Sequence, residues 1–139
     1  MSFLLDTCVI SELVKTAPDA GVVAWIHDQE ESELFLSVLT LGELQKGIAK
    51  LPEGSRRSRL EAWVRSDLLI RFGRRILDVD QRTAVLWGTR QGEAERNGRP
   101  IPVIDGLIGA SALANGCTVV SRNTADIERT GADVFNPWQ

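Results

Sequence analysis

The sequence is poor in the two residue types that build most zinc sites and many acid–base centres: it holds two cysteines, Cys8 and Cys117, and one histidine, His27. Both cysteines stand in apolar stretches, where a free thiol behaves as a small hydrophobe, so they are expected to be reduced. Structural zinc normally takes four Cys or His ligands, and these three residues are too few for a tetrahedral Cys/His site. One histidine also excludes the two-histidine scheme of a metal-free ribonuclease, and His27 on an acidic helix end is expected at the surface. Long hydrophobic runs are lacking as well. The start, Met1-Ser2-Phe3-Leu4-Leu5-Asp6, reaches an acid almost at once and has no basic lead, so neither a signal peptide nor a membrane span is expected and the cytoplasm is the default. There is no excess of positive charge: 16 Lys+Arg stand against 19 Asp+Glu, a net charge of −3, so any basic footprint for a nucleic acid must be local. No internal repeat, linker or low-complexity segment is present, nor a Gly-rich phosphate loop of Walker type. The segment Asp6-Thr7-Cys8 lacks the second acid, two residues on, that a phosphatase with an aspartyl nucleophile uses.

What is present fits one compact domain over residues 1–139, with 43% hydrophobic and 25% charged residues, close to globular averages. Short apolar runs at residues 3–5, 34–37, 76–79, 117–120 and 134–135 read as strands, and amphipathic segments between them read as helices. Thr16-Ala17-Pro18-Asp19 supplies a cap with proline in the first turn of one helix, Asp80 caps another, and Asn115-Gly116 closes a third. Residues 54–75 read as one long helix with Leu60, Trp63, Val64 and Leu68 along its apolar stripe. Strands that are continuous apolar runs, alternating with helices, predict an α/β/α sandwich around a central parallel sheet of four to five strands. Gly106, Gly109, Ala110 and Ala112 predict a helix that packs closely against a neighbour.

In an open parallel sheet, ligands bind outside the carboxyl ends of the strands, so acids just beyond strands carry the interest. Asp6 follows the first strand, Glu43 stands on the helix after the second, Asp105 opens a helix, and Asn123 and Asp126 follow the run at 117–120. Carboxylates crowded into one pocket repel each other unless a cation neutralises them, and an all-oxygen site suits magnesium, with manganese as the alternative. Each acid also has a plainer reading: Asp6 and Asp105 as helix N-caps, Glu43 on a solvated helix face, Asp126 as a turn residue. Seven arginines against two acids in residues 54–75 make a local basic patch that suits RNA phosphates, a protein-facing surface or solvent equally well. Trp25, Trp63, Trp87 and Trp138 are expected in packing rather than in base stacking.

Leu4-Leu5-Asp6-Thr7-Cys8-Val9-Ile10-Ser11-Glu12, Leu39-Thr40-Leu41-Gly42-Glu43-Leu44, Ile104-Asp105-Gly106-Leu107-Ile108-Gly109-Ala110 and Ser121-Arg122-Asn123-Thr124-Ala125-Asp126 resemble, in this order, the successive motifs of PIN-domain ribonucleases. The ending Phe135-Asn136-Pro137-Trp138 is similar to that of the FitB-like branch of VapC toxins. The resemblance implies a magnesium-dependent endoribonuclease with Asp6, Glu43 and Asp105 as acidic metal ligands and Asn123 or Asp126 completing the catalytic pocket. It also implies a homodimer held inactive by a VapB-type antitoxin; on physical grounds such a partner is expected to cover the acids with a basic side chain in place of the cation and to rest a helix on apolar surface near Val9, Leu13 and Trp25. Two positions depart from the family pattern: Cys8 stands where many relatives carry Asn or Ser, and Asn123 where some carry Asp. These departures sustain a rival reading, a catalytically weak PIN-like module that binds protein or nucleic acid.

Overall fold

The structure, a computed structural model, describes residues 1–138. Among them five strands form one parallel sheet in the order β3-β2-β1-β4-β5, comprising β1 (Ser2–Leu5), β2 (Leu34–Ser37), β3 (Ile76–Leu77), β4 (Cys117–Val120) and β5 (Val134–Phe135). Period-two alternation assigns each strand residue to a face. Phe3, Leu5, Leu34, Leu36 and Val120 enter one core, while Leu4 and Val119 enter the other, with Phe35 packed against it. Leu4, Leu5, Val119 and Val120 are fully buried, which is why these strands read as unbroken apolar runs.

The first core is covered by α1 (Thr7–Leu13), α2 (Ala20–Asp28) and α3 (Val38–Ala49), through Val9, Ile10, Val22, Ile26 and Leu44. The second is covered by α7 (Val103–Asn115) and α8 (Thr124–Glu128), through Ile108, Ala112 and Ile127. Helices on both faces complete the expected α/β/α sandwich. The small residues of α7 act as predicted: an added Cβ on Gly109 would fall 2.1 Å from the Thr130 hydroxyl oxygen, and one on Gly106 would lie 3.1 Å from the Trp87 ring of α6 (Gln81–Arg96). Gly116 then ends α7 at φ 66°, a left-handed conformation that glycine adopts without penalty.

Three local expectations change. The long helix over 54–75 is α4 (Ser55–Ala62), a wide π-helical turn (Trp63–Leu68), α5 (Leu69–Phe72) and a short 3-10 turn (Gly73–Arg75). The wide turn lets Trp63 and Leu68, five apart, reach the same core as Phe72. Asp19, not Thr16, caps α2, accepting from the Val22 N–H at 3.1 Å, and Pro18 lies before the cap. Val79 lies beyond β3, while Asp80 caps α6 as expected, accepting from the Thr83 N–H at 2.9 Å. Trp25 meets Phe3 edge-on, with centroids 4.9 Å apart, and Phe135 at 5.3 Å, so it is a packing residue. No helix among the described residues is long and apolar enough to cross a membrane.

Candidate active site

The strand order turns at β1, whose successors β2 and β3 lie to one side and β4 and β5 to the other, and such a switch point opens a crevice at the carboxyl ends. Asp6 leaves β1 there. The β1–β4 register pairs Leu5 with Val120, so the next residues on the two strands, Asp6 and Ser121, come together. Ser121, fully buried, donates its hydroxyl hydrogen to Asp6 Oδ2 at 2.7 Å, while the Thr7 N–H donates to Asp6 Oδ1 at 2.8 Å. Asp6 is therefore both a helix cap and a wall of the crevice, and the two readings of this residue are compatible. Both of its oxygens have partners, which holds a carboxylate that is only 7% exposed in one rotamer.

Glu43 comes from the second turn of α3 and is tied to α1: the Thr7 hydroxyl donates to Glu43 Oε1 at 2.5 Å and lies 3.4 Å from the Thr40 hydroxyl. The plain reading of Glu43 as a solvated helix residue does not survive this contact. Asp105 is the third residue of α7, inside the first turn rather than at the cap, which is Pro102. Its Oδ2 accepts from the Asn123 side-chain amide at 3.0 Å, so the N-cap reading of Asp105 is replaced by a side-chain link to the loop after β4. Asn123 thus meets the site as a donor, and its backbone N–H is held by the Ser121 oxygen at 3.0 Å.

Asp6, Glu43, Asp105 and Asn123 line one cavity of about 470 Å³, whose wall is completed by Thr7, Cys8 and Arg122. Asp126 is the exception among the residues expected here: it does not line the cavity, and its carboxylate lies 3.6 Å from Arg129, one helical turn on. Its charge still reaches the site. The Asp105 carboxyl is pushed up to about 6, first by burial and then by the negative charges of Asp6, Asp126 and Glu43, against a smaller lowering by the Asn123 hydrogen bond. Burial likewise pushes up the Cys8 thiol, whose sulfur lies 4.0 Å from Asp6 Oδ2 and 3.6 Å from the Ser121 oxygen. The strong polar contact that Cys8 cannot make to Asp6 is made by Ser121.

Sequence reasoning left Ser121 and Thr7 without roles of their own. Their signal was positional: each small hydroxyl stands directly beyond a buried strand or beside the acid that ends one. His27 is exposed on α2, as expected, beside Asp28.

As the side chains stand, no three Asp, Glu, His or Cys residues among the described residues meet at ligating distance. The donor chemistry nonetheless fits a hard cation: three carboxylates from three elements face one cavity, and burial together with their mutual repulsion raises Asp105, a cost that a bound divalent ion would offset. Asp6, Glu43 and Asp105 are the residues that could hold it.

A family model described as "PIN domain" matches residues 3–132. The chain is 38% identical over 136 residues to the VapC ribonuclease Y4jK of Sinorhizobium fredii, covering 98% of this chain and 97% of that protein. It is 35% identical over 135 residues to the toxin FitB of Neisseria gonorrhoeae, covering 97% of each. The crystal structure of FitAcB from Neisseria gonorrhoeae has a TM-score of 0.92 to it at 34% identity, over 99% of both chains.

Proposed function

The chain belongs to the PIN-domain family, and from that premise we propose that it is a magnesium-dependent endoribonuclease, the toxin of a VapBC-type toxin–antitoxin pair. The observation that carries this reading is that Asp6, Glu43 and Asp105 line one cavity at the switch point, where burial first and the neighbouring acids second raise Asp105. Magnesium, held by these three carboxylates, would supply activation of water and stabilisation of the leaving oxygen. The protein's own contribution is positioning: Ser121 and the Thr7 N–H orient Asp6, the Thr7 hydroxyl orients Glu43, and Asn123 orients Asp105. Ser121 also answers the objection raised by Cys8, which weakens the rival reading of an inert binding module.

Hydrolysis by this route expels the 3′ oxygen and leaves 5′-phosphate and 3′-hydroxyl ends. Purified protein, incubated with RNA in magnesium or in EDTA, should yield such ends only with magnesium, as read by mass analysis. A cyclic 2′,3′-phosphate would overturn the mechanism. Sequencing RNA ends after brief induction would identify the target.

The same reading includes a homodimer, a cytoplasmic location and a VapB-type antitoxin whose basic side chain stands in for the cation. Of the apolar seat foreseen around Val9, Leu13 and Trp25, Val9 is fully buried, while Leu13 and Trp25 are partly buried against the first core, Trp25 in contact with Phe3 and Phe135. A groove of about 770 Å³ next to the cavity, sharing Thr7 and Glu43 with it and lined by Val14, Leu44, Leu60 and Trp63, suits an amphipathic helix better.

A further inference from the structure

A cavity walled by carboxylates repels a polyanion, so a residue that brings a phosphate to it must carry positive charge. Among the described residues, one cation lines the cavity, Arg122, in the loop between β4 and α8. Its surroundings are unusual for a structural arginine. The guanidinium carbon lies 4.1 Å from the centroid of the Trp138 ring, and the backbone N–H of Trp138 donates to Asn136 Oδ1 at 2.9 Å, so the Asn136-Pro137-Trp138 ending builds a platform beneath it. Beside it lies Glu12 of α1, a carboxylate with 6% side-chain exposure, at 3.6 Å.

That distance is an attraction without a hydrogen bond. Glu12 spends its oxygens elsewhere, on Lys15 at 2.9 Å and on the Asp19 N–H at 2.8 Å, and these contacts hold its carboxyl below the usual range. Arg75 shows the contrasting case: it is hydrogen-bonded to Glu31 and to the Leu34 carbonyl, with 20% side-chain exposure. Arg122 has 56% side-chain exposure. A guanidinium stacked by its face and steered by a nearby charge keeps its edge N–H groups for an anion, and its planar fork matches a phosphate.

We propose that Arg122 grips a backbone phosphate of the RNA at the mouth of the acidic cavity, with Glu12 and Trp138 as positioning residues. The proposal rests on the nuclease reading for its substrate class, but it is tested by binding as well as by cleavage.

Binding of a 5′-labelled single-stranded oligoribonucleotide is followed by anisotropy in EDTA across a salt series, and cleavage of the same RNA is measured in magnesium. Arg122→Ala should weaken binding about 10-fold and reduce the slope of log affinity against log salt by about 0.7, the signature of one lost phosphate contact on a single strand. In cleavage, KM should rise while kcat stays within about threefold. Arg122→Lys should keep the slope and recover part of the affinity, because the charge remains and the fork is lost. Glu12→Gln should weaken binding about threefold alone and add nothing to Arg122→Ala, since it acts through the arginine. If Arg122→Ala fails a thermal melt, Arg122→Gln, which keeps most of the stem, gives the same readings. Unchanged affinity and slope without the arginine would overturn the proposal, as would a lysine variant no better than alanine. A wild-type protein that binds RNA through Arg122 but cleaves none in magnesium would overturn the nuclease reading and leave Arg122 as assigned.

Discussion

Beside β3 and at the carboxyl end of β1 the molecule gathers charge in opposite ways. Near β3, Glu31 is gripped by two arginines: Arg71 makes a two-pronged contact at 2.9 and 3.1 Å, and Arg75 adds another at 2.9 Å while also bonding the Leu34 carbonyl. Those hydrogen bonds, Arg71 foremost, hold the Glu31 carboxyl below its ordinary range. Beyond β1, acids face acids in a partly buried cavity, and burial first and their charges second push Asp105 up to about 6. The first arrangement has finished its electrostatic work within the protein and ties the arm made by α5 and the 3-10 turn after it to the segment that leads into β2. The second is incomplete without a cation or a proton, which is how a binding site differs from a brace. The basic patch seen in the sequence accordingly divides: Arg71 and Arg75 belong to the brace and Arg57 pairs with Glu61, while Arg56 and Arg59 line the groove beside the acids.

The largest effect should come from removing charge at the incomplete site. Asp6→Asn or Asp105→Asn should lower magnesium-dependent RNA cleavage by on the order of 100-fold or more, and Asp105→Asn should not destabilise the metal-free protein, because it relieves repulsion. Cleavage assays and melting curves on the same preparations check this; activity retained in both variants at limiting magnesium would remove these acids from the mechanism.

The next effect is a difference in sign with pH. The folded-state value for Asp105 lies above its ordinary 3.8, so folding favours the proton: the cost of its charge is fully present above about 6 and disappears as pH falls toward 4. Glu31 is lowered from 4.5, so its contribution is present above that value and is lost as pH falls through its folded-state value. In the metal-free protein, Asp105→Asn should flatten the gain in stability between pH 7 and 5 by about 1 kcal/mol, a figure reduced for solvent screening of a half-exposed group. Glu31→Gln should leave that window almost unchanged and flatten the acid limb below it. Denaturant titrations at several pH values decide; equal slopes in the two variants would erase the contrast.

The smallest effect belongs to the brace at neutral pH. Glu31 is half-exposed, so Glu31→Gln should cost about 0.5–1 kcal/mol, less at high salt, with cleavage unchanged. Loss of cleavage in this variant would mean that the arm and the site are coupled.

By itself the sequence determined the layers and the candidate acids, because both follow from local order. Buried parallel strands need continuous apolar runs, helices need amphipathic spacing and caps, and acids placed just past strands fall at the sheet's carboxyl edge. The tertiary structure decided which polar groups touch. Ser121 meets Asp6 across 115 residues because the β1–β4 register pairs Leu5 with Val120, and Thr7 reaches Glu43 across 36 because α1 and α3 both begin at that edge. Helix rotation then turned Asp126 toward Arg129 and left Asp105 facing Asn123, and a wide turn split the helix expected over 54–75. A strand register that slips by one residue sends every side chain to the opposite face, and a helix turned by one residue moves a carboxylate by about 100°. Such choices are made by the packing of the whole core, and no local stretch of residues carries them.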